Sequence, residues 1–523
     1  MRPTRFDALL LTCASIGVAA LMMMVPAIIN GTPFYFGDVA NYLGLSRLLM
    51  SDDPTQTIIT VYSDPAYQQA PQPLEVREDL LARAASYLGA RSIFYALFLG
   101  NTVDALTPWA PAFLQCLFVS TSVWVFLRTL WGAIAHWKYL LLMLALTWTT
   151  PVAIVSSKLM PDIFIAPMML FIVALFVAWT RLSWTRRLWL AAGVFVPLLV
   201  HISHPPVAFA MTIAGFVLMW AVSRDMRAPL QAAALLVATL GAATIVKSAG
   251  DAMTTTHLGV KLERPPFMLS RVLEDGPGLH YLRDECADSD FEICKYADRI
   301  LAVDPFTAGE FTLWDITDPD ESVYQVIDVE SRARMREQAM DFAIAAIARE
   351  PMLQVVESAK NFAAQLLSFK FEGTGTTLSW KYEFWEGRYG WIGNNERLKW
   401  VPQDCIDHPS QRCGRFYHWL LTPPSALTAC LSLALFAFVA YGFVVAHGWR
   451  PSKLGGAEIA IILVLCAILA NAFVCGVFAG PFDRYQSRII WLLPLIATSI
   501  AIWSPDKVVA PVRALRPPRR PAP

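Results

Sequence analysis

Charge is scarce in this sequence. Of 523 residues, 42 are Lys or Arg and 42 are Asp or Glu, 16% in all, and the two signs cancel. That balance leaves no basic field over the whole chain to draw in nucleic acid. Also lacking are an internal repeat, a tract that reads as a soluble cytoplasmic domain, and any CxxC pair of the kind that seeds a zinc site. The first apolar stretch follows Arg2 and Arg5 as a signal peptide would, but Met22, Met23, Met24, Val25 and Pro26 offer no small-x-small cleavage site, so it is expected to stay as an anchor.

What is abundant is apolar: 56% of the residues, with a mean hydropathy of +0.45. They gather in runs long enough to cross about 30 Å of hydrocarbon. Ten spans are expected, at 8–29, 107–127, 138–156, 162–180, 188–203, 206–223, 229–247, 418–446, 456–480 and 488–504. The fold class is therefore an all-α polytopic membrane protein of about ten transmembrane helices. Residues 1–247 hold seven spans and a structured first outer loop at 30–106. Residues 248–417 form a mixed extracytoplasmic insertion between spans seven and eight, 418–504 carry the last three spans, and 505–523 are a disordered basic tail.

The zero net charge conceals a sided distribution. Segments that would share one face, from Arg2 through Arg128, Lys138, Arg181, Arg186, Arg187, Arg224, Arg227, Arg450 and Lys453 to the tail, hold 16 basic residues against Asp7, Asp225 and Asp506. By the positive-inside rule these are cytoplasmic, as both termini must be with an even number of spans. Residues 251–416 hold 18 basic and 28 acidic residues and belong outside. The expected location is a bacterial inner membrane with the large loop periplasmic. The partner of the Pro/Arg-rich tail is anionic lipid, not nucleic acid.

Four of the nine cysteines lie in the insertion as two pairs, Cys286 with Cys294 and Cys405 with Cys413, each eight residues apart. In an oxidising compartment such spacing favours two local disulfides over a zinc site, for which His408 is a weak third ligand. The first loop should contain a helix at Leu74–Leu88 and an interfacial stretch at Ser92–Leu99. The insertion should be helical through Ser331–Leu367 with a break at Pro351, and it closes with Trp380, Trp385, Trp391 and Trp400.

Ionisable residues at the outer ends of spans are costly unless hydrated, paired or used. Four groups qualify: Asp38 after span one, Lys158 and Asp162 between spans three and four, His201 and His204 between five and six, and Arg484, Tyr485 and Arg488 between nine and ten. Each has a plainer role available. Asp38 and Asp162 are good helix caps, Lys158 can snorkel, the histidines can satisfy a turn, and the arginines can meet lipid headgroups. All four groups nevertheless fall on the same side.

An Asp just after the first span in Gly37-Asp38, a second in the turn Lys158 to Asp162, and a large outer domain after span seven resemble the GT-C superfamily of polyprenyl-phosphate-dependent glycosyltransferases, which includes protein mannosyltransferases and lipid A aminoarabinose transferases. Ala345–Leu366 resembles the stretch that leads such enzymes back to the membrane. Protein mannosyltransferases carry Asp-Glu in the first loop, whereas Val39 follows Asp38 here, so the acceptor stays open among glycan, lipid and protein. The resemblance implies a GT-C-like fold and a lipid-linked sugar donor. Asp38 would be the catalytic base, with Arg484, Arg488, Lys158 and His201 or His204 on the phosphate, Tyr485 beside them, and Asp162 orienting the acceptor or supporting a divalent cation, the one cofactor considered. An O-antigen ligase or polymerase, a transporter and a non-enzymatic scaffold or receptor are the competing classes, although no duplicated halves favour the transporter.

Overall fold

The computed structural model describes residues 5–34, 36, 38–62, 73–313, 323–324, 327–370, 422–448 and 450–506. Gly37, Cys405 with Cys413, the four tryptophans of the late insertion and the tail from 507 lie outside the described residues. About 82% of the structure is helical, and there is no strand among the described residues. The chain is an integral membrane protein of the all-α class, because hydrocarbon offers backbone groups no partners and helices satisfy them internally.

Among the described residues, eight helical stretches are long and apolar enough to cross a membrane. They are α1 (Arg5–Asn30), α6 (Trp109–Trp131), α9 (Ile165–Ala178) with its flanking 3-10 turns, α11 (His204–Ser223), α12 (Arg227–Leu258), α19 (Thr422–His447), α20 (Gly456–Phe478), and α21 (Asp483–Ser487) with α22 (Leu492–Trp503). The other two expected spans are shorter helices. At 138–156 the structure has α7 (His136–Thr149) and α8 (Val152–Ser157), divided where Pro151 forces Thr150 into extended backbone. At 188–203 it has α10 (Trp184–Val200), 17 residues long and ended by extended His201.

The first loop folds as α2 (Val39–Met50), α3 (Pro54–Tyr62), α4 (Leu74–Leu88) and α5 (Ile93–Ala105). At 13 residues α5 is too short to span. Ser92 caps it, accepting from the Tyr95 amide at 3.3 Å, and donates to the Leu199 carbonyl at 2.8 Å, which fixes this helix against the end of α10. Gly100 lets α5 close on α2, since a Cβ there would collide with Ser46.

The described insertion is helical: α13 (Phe267–Glu274), α14 (Pro277–Asp284), α15 (Ala297–Leu301), α16 (Ala308–Leu313), α17 (Val329–Arg349) and α18 (Pro351–Leu367). Leu269, Leu273, Ile300, Phe342 and their neighbours form a core separate from that of the spans. Cys286 and Cys294 form a disulfide. Asp328 caps α17 by accepting from the Ser331 amide at 2.9 Å, and Pro351, suited to a first helical turn, opens α18.

One short contact sets the level of the site. The Phe34 amide donates to the Ser157 carbonyl at 3.3 Å, and the Leu159 amide donates to the Phe34 carbonyl at 2.9 Å, an isolated parallel bridge between the chain leaving α1 and the chain leaving α8.

Candidate functional site

All four charged groups meet at this end of the bundle. Asp38 immediately precedes α2 but makes no side-chain cap bond. Its carboxylate instead accepts from Arg91 Nη2 at 2.6 Å and stands 3.6 Å from Arg484 Nη1. Arg91 lies in the turn before α5, and Arg484 lies in α21. The three side chains are 12–25% exposed, so solvent reaches this rim. Arg484 also donates through Nη2 to the Tyr485 hydroxyl at 2.8 Å. Its guanidinium stands 4.8 Å from the centre of the Phe36 ring, a cation–π distance.

Lys158 sits behind the rim, buried, with its ammonium 5.8 Å from the same Phe36 ring. Gln115 fixes the backbone there by donating to the carbonyls of Ser156 and Lys158 at 2.9 and 2.6 Å, and Tyr95 donates to Gln115 at 2.8 Å. Burial pulls the Lys158 ammonium from its ordinary range down to about 7; Asp162 opposes that shift and Arg484 adds to it.

A second layer lies deeper. Asp162, in the 3-10 turn Pro161–Phe164, accepts from Arg488 Nη1 at 3.0 Å. Arg488 Nη2 faces Ser203 Oγ at 3.1 Å, Asn471 Oδ1 at 2.9 Å and Cys475 Sγ at 3.2 Å. Arg488 is fully buried and Asp162 nearly so. The two arginines, both expected on the phosphate, therefore do not share one position: Arg484 stays at the rim, whereas Arg488 ties four polar groups together inside the bundle. Both guanidinium groups lie against Tyr485, 4.7 and 5.1 Å from its ring centre.

The histidines support this inner layer. His201 Nδ1 accepts from the Ser203 amide at 3.1 Å and lies 2.9 Å from Ser203 Oγ, the hydroxyl that meets Arg488. His204, fully buried, donates from Nδ1 to the Pro197 carbonyl at 2.7 Å, and its ring is 5.0 Å from that of His201. Among the described residues no three His, Cys, Asp or Glu side chains gather to hold a metal ion. The Asp162 oxygen considered for a divalent cation faces Arg488.

The insertion positions the rim as well. Gln365 of α18 both donates to the Phe482 carbonyl at 3.0 Å and accepts from the Phe482 amide at 2.9 Å, and the Lys370 amide donates to Asp483 at 3.0 Å. These bonds hold the turn that delivers Arg484.

Sequence reasoning missed Arg91, Phe36, Gln115, Asn471 and Cys475. Asn471 left a signal, an amide within the apolar run of α20. Arg91 left a weaker one, a lone cation directly before an interfacial stretch on the side of Asp38. Comparison with protein-family models, curated proteins and solved structures finds no match, which leaves the residues at this end of the bundle as the basis for function.

Proposed function

We propose that this chain is a membrane glycosyltransferase that moves a sugar from a polyprenyl-phosphate donor to an extracytoplasmic acceptor hydroxyl. The carrying observation is the charge arrangement at the rim: Arg91 and Arg484 flank the carboxylate of Asp38 and Lys158 lies behind them against Phe36, while Asp162 and Arg488 pair beneath. A partly hydrated, cation-rich spot with one carboxylate at the mouth of apolar helices suits an anionic lipid phosphate and one proton transfer.

In this reading the acceptor oxygen attacks the anomeric carbon. Its C–O bond forms as the bond from that carbon to the phosphate oxygen breaks, the bonding pair leaves on the phosphate, and the hydroxyl proton passes to Asp38. Arg91 and Arg484 hold Asp38 in the structure and are also the groups available to a phosphate. An arriving donor draws them away from the carboxylate and frees it as a base. Asp162 and Arg488 then act as a strut between spans, with Ser203 and the histidines beside them.

The reading includes a GT-C-like architecture with ten crossings and cytoplasmic termini. In its support, α7 begins where His136 Nδ1 meets Ser15 Oγ of α1 at 2.9 Å, and α8 ends at the Phe34 bridge, so the pair covers the depth of α1 from Ser15 onward. Likewise α10 starts where Arg187 donates to the Trp179 carbonyl at 2.9 Å and ends beside the site. By the positive-inside rule the basic residues of the opposite end support a cytoplasmic position for that end, in an inner membrane.

Reconstituted protein given a polyprenyl-phosphate sugar and hydroxyl acceptors should release polyprenyl phosphate and form glycoside. Movement of solute into the vesicles with the donor bond intact would replace this reading with a transporter.

A further inference from the structure

Helix α18 is amphipathic in the reverse of the usual sense. Its polar side faces protein: Gln354 and Asn361 donate to buried Asp275 at 2.6 and 2.8 Å, and Gln365 grips Phe482. Its apolar side faces away. Met352, Val355, Val356 and Leu367 are 45–75% exposed, and with Ala359 and Ala363 they recur at helical spacing along one stripe. A helix bathed in water on that side would have the opposite pattern. Lys360, paired with Glu357 at 2.7 Å, lies at the edge of the stripe.

The level of this helix is fixed by its packing. A Cβ on Gly476 would lie 2.7 Å from the Asn361 carbonyl oxygen, so α18 presses directly on the last turns of α20, the end of an apolar span. The Phe362 and Phe473 rings meet with centres 6.4 Å apart. Phe473 and Phe478 are about half exposed on the outer surface of α20, which puts the stripe of α18 next to the exposed apolar surface of a helix long and apolar enough to cross a membrane.

We infer that α18 is seated in the lipid leaflet at the site end of the bundle, with its apolar stripe among the acyl chains and Lys360 reaching the headgroup phosphates. The insertion is then a membrane-docked body, and the leaflet itself braces the Gln365–Phe482 contact that places Arg484. This inference is independent of the chemistry proposed above.

Nitroxide labels on Val356→Cys, Met352→Cys and, for contrast, Lys360→Cys test it, in full-length protein with Cys13 and Cys430 replaced by Ser. The protein is reconstituted in vesicles of phosphatidylcholine and phosphatidylglycerol. Labels at 352 and 356 should be more accessible to oxygen, which concentrates in lipid, than to a water-soluble nickel complex, and the label at 360 less so. Two results would overturn the inference. Nickel accessibility at 356 equal to that at 360 means water covers the stripe, and exclusion of both reagents means that the 371–421 segment or another protein covers it.

Discussion

Arg488 reaches Asp162 at 3.0 Å across 326 residues of sequence, and both side chains are withdrawn from solvent. Removing either partner strands a buried charge, whereas removing both leaves none. The same guanidinium also meets Ser203, Asn471 and Cys475, so it links the entries to α9 and α11 with the end of α20.

Asp162→Asn and Arg488→Met should each lower stability by about 3 kcal/mol or more, and the double variant should recover a large part of that loss. Thermal unfolding in detergent checks this. Strictly additive losses would show that the pair is not coupled.

At the rim the expectation is different. Arg484→Lys and Arg91→Lys keep charge but lose the fork that grips a phosphate at two points, so affinity for a polyprenyl-phosphate sugar should fall about tenfold for each. Arg488→Lys should lower stability and leave donor affinity nearly unchanged. Titration of donor binding, with unfolding measured on the same samples, separates the two roles.

Asp38→Asn should abolish transfer and tighten or preserve donor binding, because the anion no longer competes with a carboxylate for Arg91 and Arg484. A capping role predicts near-normal turnover for the same variant, since Asn caps about as well as Asp. Full activity would remove Asp38 as the base.

Lys158 supplies a pH dependence. Its ammonium loses its proton as pH rises through about 7, so donor affinity should fall over that rise. Lys158→Arg, charged throughout, should flatten the profile. The depressed value also means that the folded protein binds less proton than the unfolded chain from about 7 up to the ordinary lysine range, so this group's contribution to stability grows with pH across that window. Binding isotherms at several pH values decide the first point and unfolding midpoints the second.

Gly476→Val should push α18 off α20, since the added Cβ alone would overlap Asn361 and Gln365. A cost of about 1–3 kcal/mol is typical of such overpacking. Loss of donor binding alongside earlier unfolding would show that Arg484 depends on this seam.

Much of this could be read from the chain. Asp38, Asp162, Arg484 and Arg488 stood out because charge next to apolar runs is rare, and Cys286 with Cys294 because close spacing in an acidic loop suits a disulfide. Their allocation to two layers could not be read. Arg484 and Arg488 are one helical turn apart in sequence, yet backbone leaving α21 turns Arg488 inward, where Asn471 and Ser203 complete its bonds. Arg91 escaped notice because its partner Asp38 lies 53 residues away, beyond any local pattern. The break at Thr150–Pro151 was written in the sequence, but hydropathy averaging passed over it.

The bridge between Phe34 and Lys158 has a mechanical consequence. It clamps the backbone four residues before Asp38 to the backbone four residues before Asp162, so both carboxylates ride on one fixed jaw. Arg91 and Arg484 arrive on separate elements, from the turn before α5 and from the α21 turn held by Gln365. Adjustment of this end of the protein to a ligand therefore belongs to Arg91 and Arg484, while Asp38 and Asp162 keep their spacing.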